Sequence, residues 1–585
     1  MTAYAPPLAD IRFVLEHLVD LEGIGRLPGL EAATPDVVDQ ILEEAGRFAV
    51  GELLPLNAPG DRQRARLENG AVRTPDGFRD AYWKFVDGGW HGLQLPVEWG
   101  GQGLPWTVAT AVWEMWNSAN LAFCLCPILT QAGVELLLRH GTEAQRARYL
   151  PKLVSGEWTG TMCLTEPQAG SDVGALRTRA VREGDQWRIR GTKIFITYGE
   201  HDYTENTIHM VLARTPDAPA GTKGISLFLI PKFLVKDDGA LGARNDLRCV
   251  SLEHKLGIHA APTCVMSFGD QEGAVGYLIG AEQGGMQAMF TMMNNARLGV
   301  GLEGLALAER AYQGALAYAR ERVQGWRRHG GAEAPARIIE HPDVRRMLMT
   351  MKTQIEAMRA LTYSAAAALD RSLREPDARR RAEAEGRLAL LIPLVKAWCT
   401  DLGFEIASSA LQVHGGMGYI EETGIAQHLR DARIAMIYEG TNGIQALDLV
   451  GRKLRLAEGR LPWALFAELK QDLAALTRAG AAELQPPLAA ALSDLEEATR
   501  WLQAEHGNDA DAAAAGATPY LRMLATTLGG FLLTRAAVQA RTVGHPLAEA
   551  KLAGARFYVS QLLPPAAALS AAVTAGSAPL VAALD

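Results

Sequence analysis

The chain is short of the features that mark several protein classes. Its six cysteines, Cys124, Cys126, Cys163, Cys249, Cys264 and Cys399, are scattered over 585 residues, and none forms a Cys-x-x-Cys pair. No histidine cluster stands at metal-ligand spacing, so no metal site is expected. Sparse cysteine of this kind reads as reduced thiols in an intracellular, cytoplasmic protein. Cys124 and Cys126 fall in an apolar stretch and read as buried thiols. The opening Met1-Thr-Ala-Tyr-Ala-Pro-Pro has neither a basic segment nor an apolar core, so no secretory leader is read there. Uninterrupted apolar runs fall short of the roughly 18 residues of a membrane span. The run that begins at Met523, for example, stops at Arg535. A basic excess is missing too: 58 Lys and Arg face 66 Asp and Glu, a net charge of -8, which argues against nucleic-acid binding. No fixed-period repeat is present.

What the chain has is an ordinary globular balance, 48% hydrophobic and 21% charged, over a length that divides into roughly three or four structural units. From 11 to about 155 the apolar period is helical, with Ile11, Val14, Leu15 and Leu18 on one face. Gly141, after Arg139-His140, is read as a helix cap. The glycine-rich turn at 95–103 separates two helical stretches. Between about 161 and 281 the period falls to two. Ala180-Val181-Arg182 and Trp187 to Arg190 flank Glu183-Gly184-Asp185-Gln186 as a hairpin, and 193–197, 208–212, 225–230 and 264–268 read as further strands. This predicts a compact β-sandwich or barrel. Helix returns from about 286, with amphipathic stretches at 298–328, 342–372 and 383–413 and a hinge at His414-Gly415-Gly416-Met417-Gly418. Beyond about 456 the chain turns Ala- and Leu-rich. The expected organisation is a helical segment over 1–160, a β segment over 161–285, a helical bundle over 286–455 and an additional helical segment over 456–585.

Three segments carry chemistry. Met162-Cys163-Leu164-Thr165-Glu166-Pro167-Gln168-Ala169-Gly170-Ser171-Asp172-Val173 offers hydroxyls and turn amides to a polar ligand, or is simply a loop. Lys193-Ile194-Phe195-Ile196-Thr197 is a strand whose aromatic and hydroxyl, two positions apart, share a face. That face suits either core packing or a flat ring with polar edges. In Arg430-Asp431 to Tyr438-Glu439-Gly440-Thr441-Asn442-Gly443, one carboxylate follows an apolar run. In a dry pocket Glu439 becomes a strong proton acceptor; in water it is an ordinary carboxylate at a helix terminus.

Taken in order, Thr165-Glu166-Pro167 with Ala169 to Val173, Lys193 to Thr197, Gln412-Val413-His414-Gly415-Gly416, and Arg430-Asp431 with Tyr438 to Thr441 resemble the acyl-CoA dehydrogenase family. The likeness runs from about 95 to 455. It implies a mainly α fold: a helical N-terminal domain, a middle β domain and a C-terminal four-helix bundle, with FAD held between them. It also implies removal of an α proton and a β hydride from an acyl-CoA thioester, as in fatty-acid β-oxidation, with electron-transferring flavoprotein as acceptor and a homodimer or larger homo-oligomer. No nucleic-acid or stable membrane partner is implied.

Carried over by position, Glu439 matches the catalytic base. The family's alternative base, just before the Arg that matches Arg297, is absent because Ala296 stands there. Met162, Leu164, Thr165, Ser171, Phe195, Thr197, Arg322, Gln412, Gly416 and Thr441 match the FAD contacts. Ser171, Asn294, Arg297 and Gly440 match the substrate contacts. Three positions depart from the pattern: Phe195 where Trp is common, Gly443 where Gln is common, and Asn294 where Asp is frequent. The extra length resembles a long bacterial branch that contains the 3-methylmercaptopropionyl-CoA dehydrogenases, and this leaves the acyl group open. Two relatives by class compete: an acyl-CoA oxidase that passes electrons to oxygen, and a flavin-bearing DNA-binding protein with an extra helical domain. Against the second, residues from Leu456 to Asp585 carry nine Lys and Arg and twelve Asp and Glu.

Overall fold

The computed structural model describes residues 4–329, 332–478 and 480–581. The principal helices are α1 (Leu8–His17), α2 (Trp106–His140), α3 (Gly285–Glu321), α4 (Pro342–Arg374), α5 (Ala378–His414), α6 (Asn442–Gly451), α7 (Leu461–Arg478), α8 (Gln485–Asn508), α9 (Ala517–Thr542) and α10 (Ala548–Phe557). The chain forms two compact units. One contains Met1–Gly46, Pro105–Ser118 and Arg297–Asp585; the other contains Arg47–Leu104 and Ala119–Ala296.

The first unit is helical. Within it α4 and α5 form a hairpin, turned at Glu375-Pro376-Asp377, where the Asp377 carboxylate caps α5 by accepting from the Arg380 amide at 2.8 Å. Asp370 of α4 accepts from the amides of Trp106 and Thr107 at 2.8 and 2.9 Å, placing a carboxylate at the N-terminus of α2. A buried cluster ties distant parts of the sequence together. The Arg359 guanidinium reaches Asp10 (2.5 Å), Glu114 (2.5 Å) and Glu309 (2.8 Å), and the Tyr363 hydroxyl donates to Glu114 at 2.7 Å. Lys551 of α10 donates to Asp10 and lies 3.1 Å from Glu356. The additional C-terminal helices thus share ion pairs with the first helix and the bundle, and Arg522 of α9 adds a surface pair with Glu405 at 2.8 Å.

The second unit is built on an eight-stranded sheet. Its strands are β1 (Thr159–Cys163), β2 (Arg179–Glu183), β3 (Gln186–Thr197), β4 (Thr207–Arg214), β5 (Ile225–Pro231), β6 (Leu247–Leu252), β7 (Thr263–Phe268) and β8 (Ala274–Ile279). They run in the order β6-β7-β3-β8-β5-β4-β1, with β2 beside β3 and β4. Period-two alternation divides β4 between two cores. Ile208, Met210 and Leu212 pack with Leu136, Leu137, Leu150 and Leu153 from the helices. Val211 and Ala213 pack with Ile189, Phe228, Met266 and Phe268 between the strand layers. Strand β3 serves both layers: its first half pairs with β2 and β8, its second half with β7.

Several expectations hold, and several are corrected. The 183–186 hairpin is present, with Glu183 opposite Gln186 and Gly184 at φ +63°. The stretch expected to be helical to 155 contains a small hairpin, Arg66–Glu68 with Ala71–Arg73, because Gly70 at φ +78° turns the chain back on itself. The helix expected to reach 328 stops at Glu321. Val323–His329 and Ala332–Arg337 form a hairpin instead, with Gly325 at φ +77° inside a segment that begins at a β-branched residue. Gly141 follows α2 but lacks a left-handed φ; the next helix is set by Thr142, which forms a capping box with Gln145. Strands β1, β6 and β8 were not expected. Although no uninterrupted apolar run reaches a span's length, α2 is long and apolar enough to cross a membrane by length and composition. Its most apolar window is 83% buried inside the protein.

Removing one partner from a buried ion cluster leaves the others uncompensated. Arg359→Met is therefore expected to cost about 3–5 kcal/mol of stability, read as a lower midpoint in denaturant unfolding. An unchanged midpoint contradicts the role given to this cluster.

Candidate active site

In the sheet unit, the first two chemistry-bearing segments lie side by side. The Thr165 carbonyl accepts from the Ile194 amide at 2.9 Å, the Leu164 carbonyl from Lys193 Nζ at 2.9 Å, and the Thr197 carbonyl from Thr161 Oγ1 at 2.8 Å. The lock between them is an ion pair not anticipated from the sequence: Lys193 and Glu166, 0% and 4% exposed, meet at 2.8 Å. Glu166 also accepts from the amides of Arg177 and Thr178 and from the Thr178 hydroxyl, at 2.6, 3.0 and 2.6 Å. Burial alone would raise the Glu166 pKa. Lys193 and these hydrogen bonds outweigh it and bring the value down to about 2.

Phe195 does not share a simple strand face with Thr197. The β3–β7 register slips between Lys193 and Ile196, and Phe195 takes φ +61° at this bulge. Lys193 and Ile196 consequently both point inward, while the Phe195 ring is 59% exposed. Met162 and Leu164 are half-buried against the core, and Ser171 lies in an exposed turn. Asn294 is exposed on α3.

In the helical unit, Glu439 stands at a distorted turn, with φ +58° at Glu439 and +86° at Gly440. The turn is held from several sides. Arg297 Nε donates to the Glu439 carbonyl at 3.3 Å, and Gln445 Nε2 to the carbonyls of Glu439 and Gly440, both at 3.4 Å. The positive φ at Gly440 favours glycine, and a Cβ there would come within 2.9 Å of Gln445 Nε2 and displace the donor that holds the turn. The Thr441 hydroxyl caps α6 by accepting from the Ile444 amide at 3.2 Å. Glu439 as a whole is partly accessible, yet its Oε2 is sealed from solvent and has no hydrogen-bond partner. Burial pushes the carboxyl up to about 7, against the pull of Arg297 and Lys396.

Arg322, Gln412 and Gly416 gather elsewhere in this unit. The Tyr318 and His414 rings stack at 4.4 Å, bringing the end of α3 beside the end of α5. Arg322 follows that helix end as an exposed guanidinium without a side-chain partner among the described residues, and Gln412 and Gly416 are exposed. No hydrogen bond or ion pair joins these three to the Glu439 turn among the described residues. Two open clefts, of about 340 and 680 Å³, contain none of the predicted site residues.

The sequence also matches known protein families over most of its length. The descriptions are acyl-CoA dehydrogenase N-terminal domain (36–157), middle domain (161–271) and C-terminal domain (283–454), followed by acetyl-CoA dehydrogenase C-terminal like (465–583). The chain is 45% identical to the 3-methylmercaptopropionyl-CoA dehydrogenase of Ruegeria pomeroyi over 96% of both chains. It belongs to the acyl-CoA dehydrogenase family. A butyryl-CoA dehydrogenase of Syntrophomonas wolfei is 37% identical over 77% of this chain and 75% of its own. The fold extends through the additional helices: Caenorhabditis elegans ACDH-11, solved in complex with C11-CoA, aligns with 96% of this chain and 93% of its own at TM-score 0.75 and 20% identity. Members of this family use FAD.

Lys396, Glu303, Asn442 and Gln445 surround the Glu439 turn but carried no role in the sequence reading. The signal available was a lone charge in an apolar run, Lys396 within 390–398 and Glu303 within 300–308. Helices α3 and α5 approach closely enough to juxtapose these charges because glycines face one another. A Cβ at Gly304 would lie 2.4 Å from the Cys399 carbonyl oxygen, and one at Gly403 would lie 2.6 Å from that of Gly304.

Because the Glu166 pKa is depressed, its stabilising contribution is complete above the ordinary value of 4.5 and is lost as pH falls toward about 2. Glu166→Gln should lower stability at neutral pH and flatten the stability profile across that acid window. A variant profile parallel to the wild type would refute this assignment.

Proposed function

We propose that this protein catalyses the FAD-dependent α,β-dehydrogenation of an acyl-CoA thioester to the trans-2-enoyl-CoA, with Glu439 removing the α proton. The observation that carries the reading is the sealed, unpartnered Oε2 of Glu439 in a turn held by Arg297 and Gln445. An α C–H beside a thioester is a poor acid and requires a positioned base whose pKa lies near the working pH. The value of about 7 meets that requirement. The left-handed turn fixes the carboxyl, so little reorientation precedes proton transfer.

FAD, when bound, supplies the hydride acceptor for the β hydrogen. The residues present fit it. Phe195 offers an exposed ring at the β3 bulge, with Thr197 at the end of the same strand and Met162, Leu164 and Thr165 on and just after β1, to hold a planar ring with polar edges. Arg322, unpartnered among the described residues, suits a pyrophosphate, beside Gln412 and Gly416 for the adenine half. Thr441 completes the proposed cofactor set. Ser171, Asn294, Arg297 and Gly440 are assigned to the acyl-CoA, with Ser171 also open to a cofactor phosphate. The four-segment division at 160, 285 and 455 is retained as the functional organisation. Family membership supports electron-transferring flavoprotein as acceptor. Exposed apolar side chains such as Tyr419 (88%) and Trp326 (64%) support assembly with further copies.

Glu439→Gln should retain flavin and lose nearly all anaerobic bleaching of the flavin by acyl-CoA substrates; bleaching near the wild-type rate would remove Glu439 as the base. With the wild-type enzyme, turnover should depend on electron-transferring flavoprotein. Stoichiometric peroxide release without it would assign an oxidase.

A further inference from the structure

Two buried ionisable side chains beside Glu439 have no part in the reaction as proposed above. Lys396 of α5 is 0% exposed, yet none of the described carboxylates lies within salt-bridge distance of its Nζ. It donates instead to Asn442 Oδ1 at 2.8 Å. Asn442 opens α6, three positions after Glu439, and its Nδ2 donates to Asp401 (2.7 Å), Thr400 (3.0 Å) and the Ala397 carbonyl (3.1 Å). Lys396 is thereby fixed to the segment that ends the Glu439 turn. On the other side, Glu303 of α3 is 1% exposed and accepts from the hydroxyl of Tyr438, the residue before Glu439.

An unpaired ammonium in a dry interior is costly, and packing alone would be served by an apolar side chain of similar length. We propose that Lys396 is a positioning residue for the dehydrogenation, anchoring the Glu439 turn through Asn442 and holding the Glu439 carboxyl ionised by its positive charge. This rests on Glu439 being the base. An opposite charge favours ionisation of a carboxyl and a like charge disfavours it. The other groups that face Glu439 or Lys396 in this unit are Arg297 on α3 and Asp401 on α5, and Arg297 is itself faced by Asp448 and Arg452 on and after α6. Arg297 acts in the same sense as Lys396, but its Nε is engaged with the Glu439 backbone carbonyl. Burial brings Lys396 down to about 7 and Glu439 up to about 7, so the two titrate as neighbours across neutral pH.

The test is the pH dependence of anaerobic flavin reduction in the full-length holoenzyme, with 3-methylmercaptopropionyl-CoA and butyryl-CoA as probes. Lys396→Met should raise the pH of half-maximal reduction by about one unit, an approximately tenfold loss on the acid side that recovers at alkaline pH. Flavin content should be unchanged, and Lys396→Arg should restore the profile. Glu303→Gln, at a carboxyl that burial pushes up to about 8, should leave the midpoint in place. An unmoved midpoint in Lys396→Met, or a loss uniform across pH, overturns the proposal. Should that variant fail to accumulate, Lys396→Gln, which can keep the Asn442 contact without the charge, is read by the same criteria. Near-normal reduction by Glu439→Gln, or no reduction of the wild type by either probe, would defeat the underlying functional reading, not the role of Lys396 alone.

Discussion

Charge removed from water has to be answered inside the protein, and the helical unit does so in two opposite ways. Around Arg359 the answer is complete: three carboxylates stand at hydrogen-bond distance from one guanidinium, and a second cation, Lys551, donates to one of them, Asp10. Around Glu439 the answer is withheld: the carboxyl has cations nearby but no donor on Oε2. The first arrangement holds five stretches of sequence in one body. The second leaves a carboxyl oxygen with nothing bound to it, which is what the proposed role of base calls for. Both depend on the same low-dielectric interior, which strengthens every pairing and penalises every vacancy.

The sheet unit uses burial for geometry. Lys193 and Glu166 are sealed and fully engaged, and they clamp the 162–166 segment against β3 where β3 bulges. The bulge turns Phe195 outward while its neighbours keep the core closed. The exposed aromatic is therefore not a packing fault. Its position follows from an inward-facing ion pair on one side and an inward-facing Ile196 on the other.

Much of this was legible in the sequence because it rests on local rules. Period-two alternation located β4, β5 and the hairpin into β3, and long helical periodicity located α4 and α5 to within a few residues. The motif order identified the family. What escaped had non-local causes. Edge strands such as β1 and β6 acquire their state from partners far along the chain. The bulge at Phe195 appears only when β3 is set against β7. The end of α3 yields to a hairpin whose second strand lies beyond it. Glu439 was legible as a residue and not as an environment: its sealing depends on Arg297, Gln445 and Lys396 converging from three helices. Lys396 itself looked like one charge in an apolar run until the facing glycines of α3 and α5 set it beside the turn.

The bond from Lys551 to Asp10 joins residues 541 positions apart. A chain ended at about 455, where the ordinary family likeness stops, would strip Asp10 and Glu356 of that ammonium and open the flank of Arg359 to water. The terminal helices are thus not ballast appended to a finished enzyme. The bundle relies on them to answer buried negative charge, and shortening the polypeptide would leave that charge unanswered.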